Sequence, residues 1–180
     1  MAKSPFRLTA LGAAIAGALG VGNTSPAASG AGVSFPATQS ASTDVNTLDD
    51  YEEGSFTPVI AGDATSGVGT YSTQVGRYTK IGNRVFFSIN ISWSAHTGTG
   101  NLKITGLPFT SENSAGLAHA VVATYVQNLT LSANNILTPY IGANEAVIWL
   151  NQSPIGAGGV VTQVPMDTAA LFGLSGSYSV

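Results

Sequence analysis

The chain has 180 residues, and only 8% of them are charged against an ordinary ~25%, while 44% are hydrophobic. Six basic and nine acidic side chains leave a formal net charge of −3, which excludes the clustered Lys/Arg that a nucleic-acid binder needs to replace counterions. No cysteine is present, so disulfides and thiolate metal sites are excluded as well.

A surface so poor in charge is a poor exterior for a lone soluble monomer, and the composition predicts that partner subunits cover much of it. The length fits one globular domain plus an extension, and we divide it at 1–45, an N-terminal docking arm and linker, and 46–180, a β-sandwich domain. The arm opens with Lys3 and Arg7, followed by a 14-residue apolar run over 8–21 that is too short for a membrane span of ~20 residues. Leu8, Leu11, Ile15 and Leu19 are spaced 3, 4 and 4 apart, which predicts one stripe of a short helix that is stable only when docked. The same charged start and apolar run also fit a secretory signal, with 26–29 (PAAS) as a cleavage site. Residues 22–43 have linker composition, except that Val33 and Phe35, at period two and ended by Pro36, predict a brief strand that adds to a neighbour's sheet edge. Docking is therefore assigned to Leu8, Leu11, Ile15, Leu19, Val33 and Phe35.

Asp49, Asp50, Glu52 and Glu53 put four carboxylates in five residues. Adjacent residues point different ways, so the cluster reads as an acidic approach to the domain that pairs with Arg77, Lys80 or Arg84 rather than as a metal or catalytic site. Residues 56–60 predict a strand, with Pro58 arguing for an edge. Turn residues fill 62–69, and 68–71 with 76–81 predict a hairpin bent near Thr73 and Gln74. The clearest strand is 84–94, where Val85, Phe87, Ile89, Ile91 and Trp93 alternate with Phe86, Ser88, Asn90, Ser92 and Ser94. Those five large side chains are the predicted centre of the core.

Beyond it, 95–100 predicts a loop carrying His96 at the surface, and Leu102, Ile104 and Leu107 a strand cut by Pro108. Residues 118–131 are apolar on both faces and predict a strand covered twice. Residues 134–143 read as a loop or short strand, 146–150 as another two-sided strand and 153–159 as a loop. One helical turn is predicted over 166–170, then a last strand through Phe172, Leu174, Tyr178 and Val180 interrupted at Gly176. Eight or nine strands at roughly ten-residue spacing predict an all-β fold, an antiparallel sandwich or jelly roll.

The search for chemistry yields no catalytic, cofactor or metal residues. His96 and His119 are the two histidines, no Gly-x-Ser-x-Gly elbow occurs, and Asp63, Glu112, Glu145 and Asp167 are too scattered to form a glycosidase pair. Polar loops at 94–100, 110–116 and 132–143 are the candidates for binding sugars or proteins.

The run 35–39 (FPATQ), then 48–58 (LDDYEEGSFTP), 76–82 (GRYTKIG) and 104–109 (ITGLPF) resembles the C-terminal β-domain common in bacteriophage fibre and tail-appendage proteins, over about 32–180. The resemblance implies a non-enzymatic virion structural protein on the tail or capsid exterior, a homotrimer anchored by its arm. It implies contacts with a tail adaptor or major capsid protein and with a host-surface glycan or protein. Neither nucleic acid nor a membrane span enters this reading, and no cofactor. The alternatives are a capsid decoration (cement or head-fibre) protein and, more remotely, a virion-associated glycan hydrolase.

Overall fold

The computed structural model describes residues 17–22, 24–26, 28–38, 42–44, 46–114, 119–156 and 158–180, and every regular element in them is a β-strand. The chain divides into two units, Met1–Asp50 and Tyr51–Val180.

In the first unit, β1 (Ala18–Gly20) and β2 (Gly32–Ser34) run parallel with Leu19 opposite Val33. This corrects the helical reading of Leu19. Gly17 and Gly22 hold φ of +122° and +60°, conformations that do not continue a helix and that glycine adopts without strain. Leu8, Leu11 and Ile15 lie outside the described residues. Val33 does belong to a short strand, and within the chain that strand pairs with β1. Phe35, with Val21, Pro36 and Leu48, lines a small depression within this unit.

The second unit contains β3 (Tyr51–Phe56), β4 (Val59–Gly62), β5 (Gly69–Ile81), β6 (Arg84–His96), β7 (Leu102–Thr105), β8 (His119–Gln127), β9 (Asn135–Leu137), β10 (Tyr140–Ile141), β11 (Val147–Trp149), β12 (Asn151–Pro154), β13 (Thr162–Gln163) and β14 (Ala170–Ser179). Nine of them form one antiparallel sheet in the order β3-β5-β6-β14-β8-β10-β11-β7-β4, and β13-β12-β9 form a small separate one. The two ends of the large sheet, β3 and β4, are joined by only Thr57 and Pro58. A span of three Cα–Cα steps reaches at most ~11 Å. The sheet must therefore fold back on itself, which makes a sandwich whose halves share β8.

Each half supplies one wall of the core. Register places Ile60, Ile104, Ile148 and Ile141 in a row across β4, β7, β11 and β10, each at most 1% exposed. Against this row pack Val85, Phe87, Ile89, Ile91 and Trp93 of β6, all buried, with Phe172, Leu174 and Tyr178 of β14. Trp93 and Phe172 ring centroids are 5.5 Å apart, and Phe87 meets Tyr178 at 5.9 Å. At ~1.5–3 kcal/mol per large side chain, this wall-to-wall contact is the main source of stability.

Several local expectations are corrected. Pro58 cannot donate a ladder bond, so the strand expected over 56–60 is two strands turned around it. The hairpin expected within 68–81 is a single strand, β5. Tyr71 pairs with Trp93 and Thr73 with Ser92, which leaves Ser72 as an unpaired bulge. The true turn is Gly82-Asn83, with φ +56° at Gly82 alone, the pattern of a two-residue II′ hairpin turn. The helical turn expected over 166–170 is extended, because residues 100–101 claim its backbone: Pro165 bridges to Asn101, and Met166 N–H donates to Gly100 C=O at 2.9 Å. β14 runs through Gly176 without a break. β8 is not covered on both faces within this chain, since Tyr125 is 53% and Val126 36% exposed.

Candidate binding face

Because the odd-numbered residues 85–93 of β6 face the core, Arg84, Phe86 and Ser88 point to the other side of the sheet. Register then builds two adjoining rows on that outer face. One is Glu53, Thr79, Phe86 and Ser177; the next is Ser55, Arg77, Ser88 and Ser175. The residues on the first three strands line a shallow, open depression. Phe86 sits at its middle, 49% exposed, a large apolar side chain among hydroxyls.

Two arginines border it. Arg84 Nη2 donates to Ser177 Oγ at 2.7 Å and Nη1 to Ser179 Oγ at 3.1 Å. Arg77 is exposed and has no hydrogen-bond or ion-pair partner among the described residues. The carboxylate of Glu53 accepts the Tyr51 hydroxyl, a bond that raises the Tyr51 pKa above its ordinary value.

The other expected site residues fall elsewhere. Alternation turns Glu52 and Glu53 to opposite faces of β3, so the acidic cluster does not converge. Glu52 accepts the Tyr78 hydroxyl, which pushes the Tyr78 pKa up to about 12. Lys80 is buried opposite Glu52, with Nζ 5.7 Å from the Phe109 ring. No group of three or more His, Cys, Asp and Glu side chains among the described residues is placed to hold a metal.

His96, expected at the surface of a loop, is the buried last residue of β6. Its Nδ1 accepts Gly98 N–H at 2.9 Å, so Nε2–H donates to Ile60 C=O at 3.0 Å. It belongs to a set that caps the outer edge of β4. The Tyr71 hydroxyl accepts Ile60 N–H at 3.0 Å, and Gln74 Nε2 donates to Pro58 C=O at 2.9 Å.

Two of the expected binding loops, 110–116 and 132–143, are tied to each other through Ser111. Ser111 Oγ donates to Gly142 C=O at 2.6 Å and accepts Glu145 N–H at 3.0 Å. A second aromatic cluster on the outer side of β7, β11 and β10 is self-contained. Trp149 Nε1–H donates to Glu145 Oε2 at 2.6 Å, and Lys103 Nζ lies 5.4 Å from the indole ring. The outer face around Phe86 thus carries Arg77, a cationic side chain with no partner among the described residues, beside Arg84. Reading the sequence for loops missed it, although Phe86 is visible as the one large apolar residue in the polar half of β6.

The described residues of Tyr51–Val180 thus form an all-β sandwich with an open polar face. Neither a protein-family model nor a curated protein matches the chain. Among solved structures it is similar to the Dettilon tailspike protein, at 28% identity and a TM-score of 0.57, over 72% of this chain and 24% of that one. The chain thus spans about a quarter of the tailspike's length.

Proposed function

We propose that this chain is a bacteriophage tail-associated structural protein. In this reading Tyr51–Val180 is turned outward to contact the host surface, and Met1–Asp50 joins it to the particle. The observation that carries the proposal is the likeness to a tailspike protein, which extends over most of the chain at an identity above what fold alone requires. A non-enzymatic role is favoured by the carboxylates: Glu52, Glu53, Asp63, Glu145 and Asp167 each already accept an internal hydrogen bond. Self-association, with a trimer as the form proposed, is favoured by the low charge content and by the exposed Val75 and Tyr125.

Quantitative mass spectrometry of purified virions tests the placement. A handful of copies per particle is expected, and hundreds would indicate the capsid instead. Deleting residues 1–30 is expected to leave a folded chain that no longer enters particles; normal incorporation would end the anchoring role.

A further inference from the structure

We propose that the outer face of β3, β5, β6 and β14 around Phe86 binds a carboxylate-bearing saccharide, with the sugar ring on Phe86 and the carboxylate held by Arg77 and Arg84. This deepens the host-contact reading and rests on it.

The geometry is fixed by register. Arg84 lies two residues from Phe86 on β6, a Cα separation of ~7 Å. Thr79 is opposite Phe86, which puts Arg77 on the diagonal at ~7–8 Å. Both guanidinium groups can therefore reach the rim of a ring stacked on Phe86. The apolar C–H face of a pyranose suits an exposed phenyl ring, and its equatorial hydroxyls meet Ser55, Thr79, Ser88 and Ser177, each able to donate or accept.

Charge decides the class of sugar. Arg77 is a solvent-exposed cation without a partner among the described residues, in a chain with only six basic side chains. Arg84 is steered along β14 by two serine hydroxyls, which use part of its five-donor fork and leave the rest for a ligand. A planar fork matches a carboxylate in bidentate fashion and has no such match in a neutral sugar. Glu53, at the far border of the depression, is already engaged by Tyr51 and can accept a sugar hydroxyl.

A second copy of this chain fits the face less well. Of the six outward residues lining the depression only Phe86 is large and apolar, whereas the core of a protein interface is apolar and depleted of charge.

The test titrates the full-length chain by calorimetry with polygalacturonate, hyaluronate and polysialate, with dextran as the neutral control. Arg77→Gln, Arg84→Gln and Phe86→Ser variants are run beside it, with circular dichroism and light scattering as checks on fold and mass. At least one carboxylated polymer is expected to bind, dextran at least ~10-fold more weakly. Each variant should lose ~10-fold or more, since one charge-assisted hydrogen bond is worth ~1.5 kcal/mol or above, and added salt should weaken the parent's binding. The inference is overturned if none of the three polymers binds, if dextran binds equally, or if folded variants bind like the parent. It is also overturned if the variants change the oligomeric mass, which would make the face a contact between copies. Adsorption of the chain to host cells is measured in parallel: adsorption without binding of any carboxylated polymer removes the saccharide inference alone, whereas polymer binding without adsorption removes the host-contact reading alone.

Discussion

The hydroxyl of Tyr178 holds both backbone groups of Phe109: it donates to the carbonyl oxygen at 3.1 Å and accepts the N–H at 3.3 Å. This ties β14 to the segment after β7, across the core. Burial pushes the Tyr178 pKa up to about 12 from the ordinary 10. The neutral phenol is the form the fold favours, so its contribution is complete below pH 10 and is lost as pH rises from 10 towards about 12, where the unfolded chain ionises first. Tyr178→Phe is expected to cost ~1–3 kcal/mol at neutral pH, because both Phe109 groups lose their partner. It should also flatten the alkaline fall in stability, leaving the part due to Tyr78, whose pKa is raised to about 12 as well. Urea unfolding at a series of pH values measures both effects.

The edge of β4 gives a second prediction. His96 and Tyr71 both reach Ile60 C=O, at 3.0 and 3.4 Å. His96→Phe keeps the ring but removes this bond and the acceptor for Gly98 N–H, at an expected ~1–3 kcal/mol. Because Tyr71 and His96 share one acceptor, combining His96→Phe with Tyr71→Phe should cost more than the sum, by ~0.5 kcal/mol or above. A double-mutant cycle in urea reads the coupling, and strict additivity would show that the edge is not held jointly.

Two glycines on adjacent strands lie under aromatic rings. A Cβ on Gly76 would stand 2.6 Å from the Phe56 ring, and one on Gly54 2.6 Å from the Tyr78 ring. Each ring thus covers the glycine directly opposite it. Gly76→Ala is expected to destabilise by ~1–3 kcal/mol through overpacking. Phe56→Leu in the same chain should recover part of that loss, and thermal melting of the single and double variants tests it.

Ile89 occupies the middle of β6, opposite Gly76 of β5 and Leu174 of β14, and is 3% exposed. Ile89→Asp places a carboxylate there with no cation on either neighbour. The cost of an unpaired buried charge is comparable to a domain's whole stability of ~5–15 kcal/mol, so no cooperative melting transition is expected. Ile89→Val should fold and lose only ~0.5–1.5 kcal/mol. A cooperative melt for the aspartate variant would contradict the burial.

What could be read from residue order depended on whether each cause was local. β6 was legible because residues 84–94 alternate without a fault. β5 was not, because the bulge at Ser72 adds one residue and moves the inward set from Tyr71 to Gln74, Gly76 and Tyr78. A period-two pattern then breaks in the middle of a continuous strand. His96 looked like a loop residue among Thr and Gly, since its acceptor at Ile60 is thirty-six positions away. Leu19 obeyed helical spacing, but Gly17 and Gly22 on either side of it weigh more. At the candidate face, Phe86 was visible as an exception, whereas its position beside Arg77 emerges only from the pairing of β5 with β6.

β14 lies between β6 and β8, at the heart of the nine-stranded sheet, yet it is the last of the strands to be synthesised. A nascent chain on the ribosome therefore carries β6 and β8 with the slot between them vacant until residues 170–179 emerge. The wall built on β3, β5 and β6 is not complete before then, and the two bare strand edges are open to pairing with other chains. Chaperones that shield that slot until residues 170–179 arrive thus bear on how much protein reaches its native form.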